Sequence, residues 1–463
     1  WIEGNDRLKP PTMKQLWYGL APYRTKTLGQ KRKLAQSSKL KHQPQHQELQ
    51  SFASNDAIGR MFHKLAKLHQ ECSLMKNDEF RALTDNLISG RVKHLDFEIT
   101  AHNLDLVKNI KGIGESSVDK MKEFFQRGDG SCNRIEEFEK DKERMAMRAM
   151  QNIWGVGNKG AQQLMRLGYE TIDQIRNDLD AGILEQKFPL NSNQRIGIKY
   201  YQDFLEKMTR KEVEQIADIV KEATWERFPR ANITIMGSYR RGKETCGDID
   251  LLITEPSYSK VTPPGALGEL VSRLAERGHL SFHLTPNLEG MNNGATESQS
   301  SYDCSQESIL PPPNPTGGKP SLSSYMGVFC SPVIPGKMRR IDIKFYPYRE
   351  RIFAALYFTG NGWFNRSMRR WASSKNFSMD DHGLFPVARN QRTGPKIKSS
   401  VFYPNTEREV FDRLGIVYKE PSDRNYFDDV IPLDESVNDW DPYSMTETEL
   451  MRDVAAHSGP WIE

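Results

Sequence analysis

No apolar run in the 463-residue sequence approaches the about 20 residues that a membrane-spanning helix needs, so no membrane partner is expected. No signal-peptide pattern opens the chain, and its first residue is Trp1 rather than Met, as expected of a fragment whose upstream signals are missing. Cysteine is scarce and odd in number, five, without the paired spacing of a zinc site. That argues against a disulfide framework and for reduced thiols in a cytosolic or nuclear setting. Charge of one sign is lacking too: 65 Lys and Arg against 61 Asp and Glu leave a net charge of +4, too small to establish a nucleic-acid partner. What is there, 37% hydrophobic and 27% charged residues over a length beyond one hydrophobic core, fits a soluble protein of several subdomains.

The distribution of charge says more than its sum. Residues 1–50 carry Arg7, Lys9, Lys14, Arg24, Lys26, Lys31, Arg32, Lys33, Lys39 and Lys41 against Glu3, Asp6 and Glu48, with no sustained periodicity. The stretch is expected to be a flexible basic linker. Lys31-Arg32-Lys33 is either a nuclear-import signal or an ordinary solvated basic cluster.

The stretch Gly237-Ser238-Tyr239-Arg240-Arg241-Gly242, followed by Gly247-Asp248-Ile249-Asp250 and the apolar run Leu251-Leu252-Ile253, carries the chemistry. Side chains at i and i+2 of a strand share a face, so Asp248 and Asp250 repel each other unless a cation lies between them. Hard divalent cations suit carboxylates, and Mg²⁺ uses one or two of them together with substrate phosphates. The Gly-Ser turn offers backbone N–H groups, and Arg240 and Arg241 offer guanidinium forks, to such phosphates. A third acid stands in Arg339-Arg340-Ile341-Asp342-Ile343-Lys344, whose period-two alternation predicts a half-buried strand with Asp342, Arg340 and Lys344 on one face. If the two strands are neighbours, three carboxylates converge, enough for two metal ions roughly 3.5–4 Å apart. The reading is nucleotidyl transfer.

These motifs, together with Tyr357-Phe358-Thr359-Gly360, occur in the order found in family X DNA polymerases, and from about residue 55 to about 427 the chain resembles that family. The resemblance implies an α+β architecture of several subdomains: a nucleotidyltransferase palm with a mixed β-sheet, helical lyase and DNA-binding subdomains with two helix-hairpin-helix motifs, and an α/β C-terminal subdomain. It implies two Mg²⁺ ions, replaceable by Mn²⁺, on Asp248, Asp250 and Asp342, with Asp342 receiving the proton of the primer 3′-hydroxyl. Gly237, Ser238, Arg241 and Gly247 are assigned to the triphosphate, Arg340 to the primer phosphate or to orienting the carboxylates. A phosphate-facing serine of some members is Cys246 here, and Lys344 replaces a common arginine. The Tyr357-Phe358 pair resembles the wall that excludes a ribose 2′-hydroxyl, so deoxynucleotides are expected. Gly360 and Asn365 are placed at the incoming nucleotide, Arg366 and Arg369 at the template strand.

Upstream, Ile58, Met61, Phe62, Leu65 and Leu68 recur at helical spacing. Ile110-Lys111-Gly112-Ile113-Gly114 and Ile153-Trp154-Gly155-Val156-Gly157 each precede a predicted helix and resemble helix-hairpin-helix turns, which let a phosphate approach the glycines and the helix N-terminus. Such contacts hold duplex backbone without reading sequence. The first region resembles the family's lyase domain. Alignment there puts Lys120 at the Schiff-base lysine and Arg81 at the 5′-phosphate contact, with Lys111 and Lys122 as neighbours that lower the pKa of Lys120. A second lysine of several members is Ser116 here, and a solvated surface role for Lys120 stays open.

The expected boundaries are a basic linker at 1–50, with Trp1-Ile2-Glu3 as the end of a BRCT domain; a lyase-like domain at 51–140; a DNA-binding subdomain at 141–208; a palm at 209–348 with a Pro- and Ser-rich insertion at 286–324; a nucleotide-selection subdomain at 349–427; and an acidic tail at 428–463. The insertion is read either as a template substitute, with Tyr302 and Tyr325 as stacking surfaces, or as an inert loop. The leading function is a nuclear, monomeric DNA polymerase that fills short gaps at gapped or broken DNA ends with dNTPs, in end joining or base-excision repair, with lyase activity. Its partners would include an end-joining ligase and end-binding proteins, reached through the absent upstream domain. A terminal-transferase-like enzyme and a DNA-end scaffold are the alternatives.

Overall fold

The apolar stripe from Ile58 to Leu68 forms one face of helix α1 (Ala53–Glu71) in the computed structural model, which describes residues 53–72, 77–110, 112–285, 323–389, 396–398 and 401–433. With α2 (Asp78–Lys93), α3 (Leu104–Lys108), α4 (Glu115–Arg127) and α5 (Asn133–Lys140) it encloses a core that includes Phe62, Val92, Val107, Met121 and Phe138. A second helical group follows: α6 (Lys142–Gln151), α7 (Asn158–Arg166), α8 (Ile172–Asp180), α9 (Leu184–Lys187), α10 (Ser192–Lys199) and α11 (Tyr201–Leu205), around Met147, Met150, Leu164, Ile175 and Ile198. Its helix starts are set by side chains. Asp141 accepts from the Arg144 amide, and Thr171 and Asn191 form capping boxes with Gln174 and Gln194.

The palm begins with β1 (Met208–Thr209) and α12 (Arg210–Trp225), capped by the Thr209 hydroxyl. Then come β2 (Asn232–Ile235), the single-turn α13 (Gly237–Arg240), β3 (Thr245–Cys246), β4 (Ile249–Glu255), α14 (Ala266–Glu276), β5 (Leu280–His283), β6 (Ser324–Cys330) and β7 (Met338–Pro347). Five strands form one sheet in the order β2-β4-β7-β6-β5, in which only β4 and β7 run parallel. The alternation along β7 sends Ile341, Ile343 and Phe345 into the core beneath Val213, Val220, Leu270 and Leu274 of α12 and α14. Arg340, Asp342 and Lys344 therefore share the opposite face.

The C-terminal part comprises α15 (Arg351–Thr359), α16 (Gly362–Ser374), a three-stranded antiparallel sheet of β8 (Phe377–Met379), β9 (Leu384–Arg389) and β10 (Lys396–Lys398), and α17 (Glu407–Leu414). Trp371 is buried at its centre and donates from Nε1 to the Leu414 carbonyl.

Two expectations need correction. The C-terminal subdomain does not end at 427: the Val417 amide donates to the Ile431 carbonyl, and the Leu433 amide donates to that of Gly415. Asp429, counted with the acidic tail, is buried and accepts from the Asn425 and Tyr426 amides. Tyr325 is no stacking surface, because β6 begins at Ser324 and places its ring in the palm core, where its hydroxyl meets His283 Nδ1 at 2.9 Å. Tyr302, residues 286–322 of the insertion and residues 434–463 of the tail lie outside the described residues, as does the linker at 1–50.

A buried ion pair within the palm also reaches the end of the second helical group through backbone carbonyls. Arg339, 1% exposed, donates from Nε to Glu212 Oε1 at 2.8 Å and from Nη1 to the carbonyls of Asp203 and Glu206. Removing one partner leaves the other as an uncompensated buried charge. Arg339→Met should therefore lower unfolding stability in urea by about 3–5 kcal/mol. Arg339→Met combined with Glu212→Leu should cost clearly less than the sum of the single changes.

Candidate active site

The register of the parallel pair builds the site. Asp250 of β4 stands opposite Asp342 of β7, and Asp248 lies just before β4 on the same face. Arg340 Nη2 is 3.1 Å from Asp248 Oδ2, and Lys344 Nζ is 3.6 Å from Asp342 Oδ1. Asp250, 7% exposed, has its carboxyl pushed well above the ordinary range by burial and by the neighbouring Asp248 and Asp342. Burial also raises Asp342, with Asp248 adding to it and Lys344 and Arg340 opposing. Asp342 Oδ1 is buried and accepts no hydrogen bond among the described residues.

Among the described residues no three metal-binding side chains close around a single point. Arg340 and Lys344 partly neutralise the carboxylates instead. The donor set nonetheless fits hard divalent cations: three acids that repel one another, and a buried carboxylate oxygen whose ammonium neighbour, Lys344, stays beyond hydrogen-bond distance at 3.6 Å.

The turn at Gly237-Ser238 is pressed against these acids. Gly237 sits at φ 55°, and a Cβ added there would lie 1.9 Å from Asp250 Oδ2. The Met236 amide donates to the Asp250 carbonyl at 2.8 Å, which holds the turn in place. Ser238 and Gly247 are half-buried beside it. The two arginines of the turn diverge. Arg241, 6% exposed, stays close enough to Asp250 to favour its charge, while Nη1 donates to the Thr359 carbonyl at 2.6 Å. Arg240 turns away from the expected phosphate position and pairs with Glu407 Oε1 at 2.8 Å, because that buried acid needs a countercharge. Cys246 is likewise not phosphate-facing: it is 1% exposed in the palm core, where its thiol meets Ser238.

The Tyr357-Phe358-Thr359-Gly360 corner closes the other side. Gly360 has φ 68°, and a Cβ there would meet Arg241 Nη1 at 3.0 Å. Phe358 is buried against Tyr346, so Tyr357 is the more accessible of the pair. Asn365 donates from Nδ2 to the Tyr357 carbonyl at 2.7 Å, and the Arg369 guanidinium lies 5.6 Å from the Tyr357 ring. Arg366 stands apart from this group, over Trp363 at 5.0 Å.

The two glycine turns have the same geometry. Gly112 and Gly155 have φ 87° and 82°, while Gly114 and Gly157, at φ −87° and −82°, cap α4 and α7. Ile113 and Val156 each donate to the carbonyl three residues earlier. A Cβ at Gly114 or Gly157 would touch nothing within 4 Å, and both lie in extended backbone that any residue adopts. The chain's own packing therefore gives no reason for glycine there; a close approach from outside would.

On α4, Lys120 Nζ donates to Ser116 Oγ at 3.3 Å, and Lys122 is paired with Asp119, while Lys111 lies outside the described residues. Lys120 and Arg81, far apart in sequence, both act electrostatically on Asp85. Burial pushes this carboxyl up to about 7, and Lys120, Arg81 and Arg134 oppose the rise. Asp85 Oδ2 is 3.7 Å from Nε2 of the buried His69, whose Nδ1 is 3.4 Å from Asp78. Sequence reasoning missed this buried cluster, and it missed Glu407, since neither carries a local pattern. Trp154 was visible in the second glycine turn, but its contact with Arg340 of β7 was not.

The 1.9 Å approach at Gly237 gives a test. Gly237→Ala should displace Asp250 or the turn and lower single-nucleotide incorporation at least about a hundredfold, as misplacement by about 1 Å does. Circular dichroism and gapped-DNA binding should change little, because the strain is confined to the site.

Residues 207–308 match the DNA polymerase beta palm family, residues 354–425 the DNA polymerase beta thumb, and residues 148–205 the fingers domain of DNA polymerase lambda. The chain is 30% identical over 335 residues to DNA polymerase lambda of Arabidopsis thaliana, covering 71% of this chain and 55% of that protein. It is 31% identical over 319 residues to DNA polymerase lambda of Rattus norvegicus, covering 69% and 48%. It is 28% identical over 358 residues to DNA-directed DNA/RNA polymerase mu of Homo sapiens, covering 77% and 67%. The chain thus spans about half the length of the two lambda relatives. The palm match takes in the Gly237-Ser238 turn with Asp248 and Asp250, and the thumb match runs from within α15 to Asn425. With palm, fingers and thumb all matched in order around one carboxylate site, the chain belongs to family X of the DNA polymerases.

Proposed function

We propose that the chain is a template-directed DNA polymerase that adds a deoxynucleotide to a primer 3′-hydroxyl and fills short gaps during DNA repair in the nucleus. The observation that carries this reading is the register of Asp250 against Asp342, with a phosphate turn that only glycine at 237 allows so close. Asp248, Asp250 and Asp342 would hold Mg²⁺, or Mn²⁺ in its place, supplying positive charge to the triphosphate and acidity to the 3′-hydroxyl. Asp342 would take the hydroxyl proton; its burial on the strand face beside Asp250 supports that role. Ser238, Gly247 and Arg241 would bind the triphosphate, and Tyr357, to whose carbonyl Asn365 donates, would border the sugar and base. The Tyr357-Phe358 pair favours this reading over a template-independent transferase.

The glycine turns at 112–114 and 155–157 would hold the DNA backbone on the two sides of the gap. A 5′-deoxyribose-phosphate lyase activity is part of the proposal. Lys120 would form the Schiff base and Arg81 would hold the 5′-phosphate; that both cations act on the one buried carboxyl of Asp85 supports it.

Asp250→Ala or Asp342→Ala should reduce incorporation in Mg²⁺ by at least about a hundredfold, the scale of losing one charge-stabilising group, while gapped-DNA affinity stays nearly constant. Substantial extension by either variant would remove the site assignment. Wild-type extension of gapped but not single-stranded primers separates template direction from terminal transfer.

The lyase has its own test. Borohydride should trap a protein–DNA adduct with a 5′-sugar-phosphate substrate, and Lys120→Ala should remove most of it while polymerase activity survives. No adduct with the wild type would reduce the region to a 5′-phosphate grip.

A further inference from the structure

Arg340 is held beside the catalytic carboxylates by two contacts of different kinds. Nη2 lies 3.1 Å from Asp248 Oδ2, whereas the buried Nε has no hydrogen-bond partner among the described residues. The flat face of the guanidinium rests on an indole: its central carbon is 4.4 Å from the Trp154 ring centre. Trp154 is the residue just before Gly155 of the second glycine turn.

That indole is anchored. It packs against the cluster of Ile196, Phe282, Leu284, Val328 and Met338, where α10 meets β5, β6 and β7. Its backbone is fixed as well, since a Cβ at Gly197 would come within 2.3 Å of the Trp154 carbonyl oxygen and 2.8 Å of its amide nitrogen. An arginine side chain tethered at one end by a single half-buried ion pair keeps rotamer freedom along its stem. A tryptophan face removes most of that freedom, because its ring quadrupole attracts the cation without requiring a directed hydrogen bond. The contact suits a guanidinium that must keep its position when its carboxylate partner takes on another cation.

We propose that Trp154 is a positioning residue for nucleotidyl transfer: it holds Arg340 at the level of the carboxylates and so couples the second glycine turn to Asp248. The inference rests on the polymerase reading above. The coupling has a direct consequence, because backbone pressed against Gly155 and Gly157 bears on the same turn that carries the indole. Grip and catalytic geometry then share one side-chain contact.

Trp154→Phe keeps an aromatic face, whereas Trp154→Leu keeps apolar packing without one. Single-nucleotide incorporation on a one-nucleotide-gapped duplex, DNA affinity by fluorescence anisotropy and thermal unfolding are measured for wild type and both variants. Each change is then repeated in an Arg340→Ala background. Trp154→Leu should lower kcat about tenfold, the size of a desolvated cation–π contact, with KM for dNTP and DNA Kd little changed. Trp154→Phe should retain most of the turnover, and neither change should matter once Arg340 is alanine. Equal loss in Leu and Phe, an equal effect without Arg340, or a loss of DNA affinity that accounts for the rate would each overturn the inference. Absence of incorporation by the wild type would instead overturn the polymerase reading itself.

Discussion

Two acids that repel each other are locked side by side by the hydrogen bonds of a parallel strand pair, and much of the site follows from that constraint. Asp250 and Asp342 cannot move apart without breaking the β4–β7 ladder, nor can burial let them ionise cheaply. Arg340 and Lys344 on the same face of β7 reduce the repulsion without removing it. The bare Cα of Gly237 then lets the phosphate turn close over Asp250. Sheet register, charge and one missing side chain together produce a place where cations and phosphates are both favoured.

Around this centre, buried charges hold the subdomains in relation. Arg339 and Glu212 join α12, β7 and the end of the second helical group. Glu407 does the same on the other side, with Arg424 at 2.8 Å and Arg240 at 2.8 Å, so the phosphate turn is tied to the C-terminal subdomain. Burial pushes the Glu407 carboxyl up, but the two guanidinium groups outweigh it and hold it below the ordinary range. Each tether is costly to break because a charge would be stranded away from water. Such ties favour one relative position of palm and C-terminal subdomain, and with it one distance from Ser238 to Tyr357.

What could be read from the sequence was what depends on neighbours in the chain. Period-two alternation placed Asp342 on a strand face, helical spacing placed Ile58 to Leu68 on one side of α1, and the paired glycines marked two turns. The parallel pairing of β4 with β7 came from a conditional step, because nothing local in either strand names its partner. Arg240 was misjudged for the same reason: beside a glycine-serine turn it reads as a phosphate ligand, until Glu407 is seen next to it. Tyr325 was misjudged because a Pro- and Ser-rich composition runs up to the first residue of β6 and hides the strand. The Asp85–His69–Asp78 cluster had no pattern to find, since its members come from two helices that meet only on folding.

The first and last described parts of the chain pack against each other. Leu83 and Leu87 of α2 share a small core with Phe427, Lys93 lies 4.4 Å from the Tyr426 ring centre, and His94 is 3.4 Å from Asp429. During synthesis, helices made early must therefore wait for a segment made late. Until residues near 427 leave the ribosome, Leu83 and Leu87 on the outer face of α2 lack the cover that Phe427 gives them. The palm and C-terminal subdomain are produced in that interval, so the N-terminal bundle can complete its inner core early but not its outer surface. Final consolidation of this region is a late, long-range event, and the unfinished chain carries an incompletely covered apolar patch until the segment around Phe427 has been made.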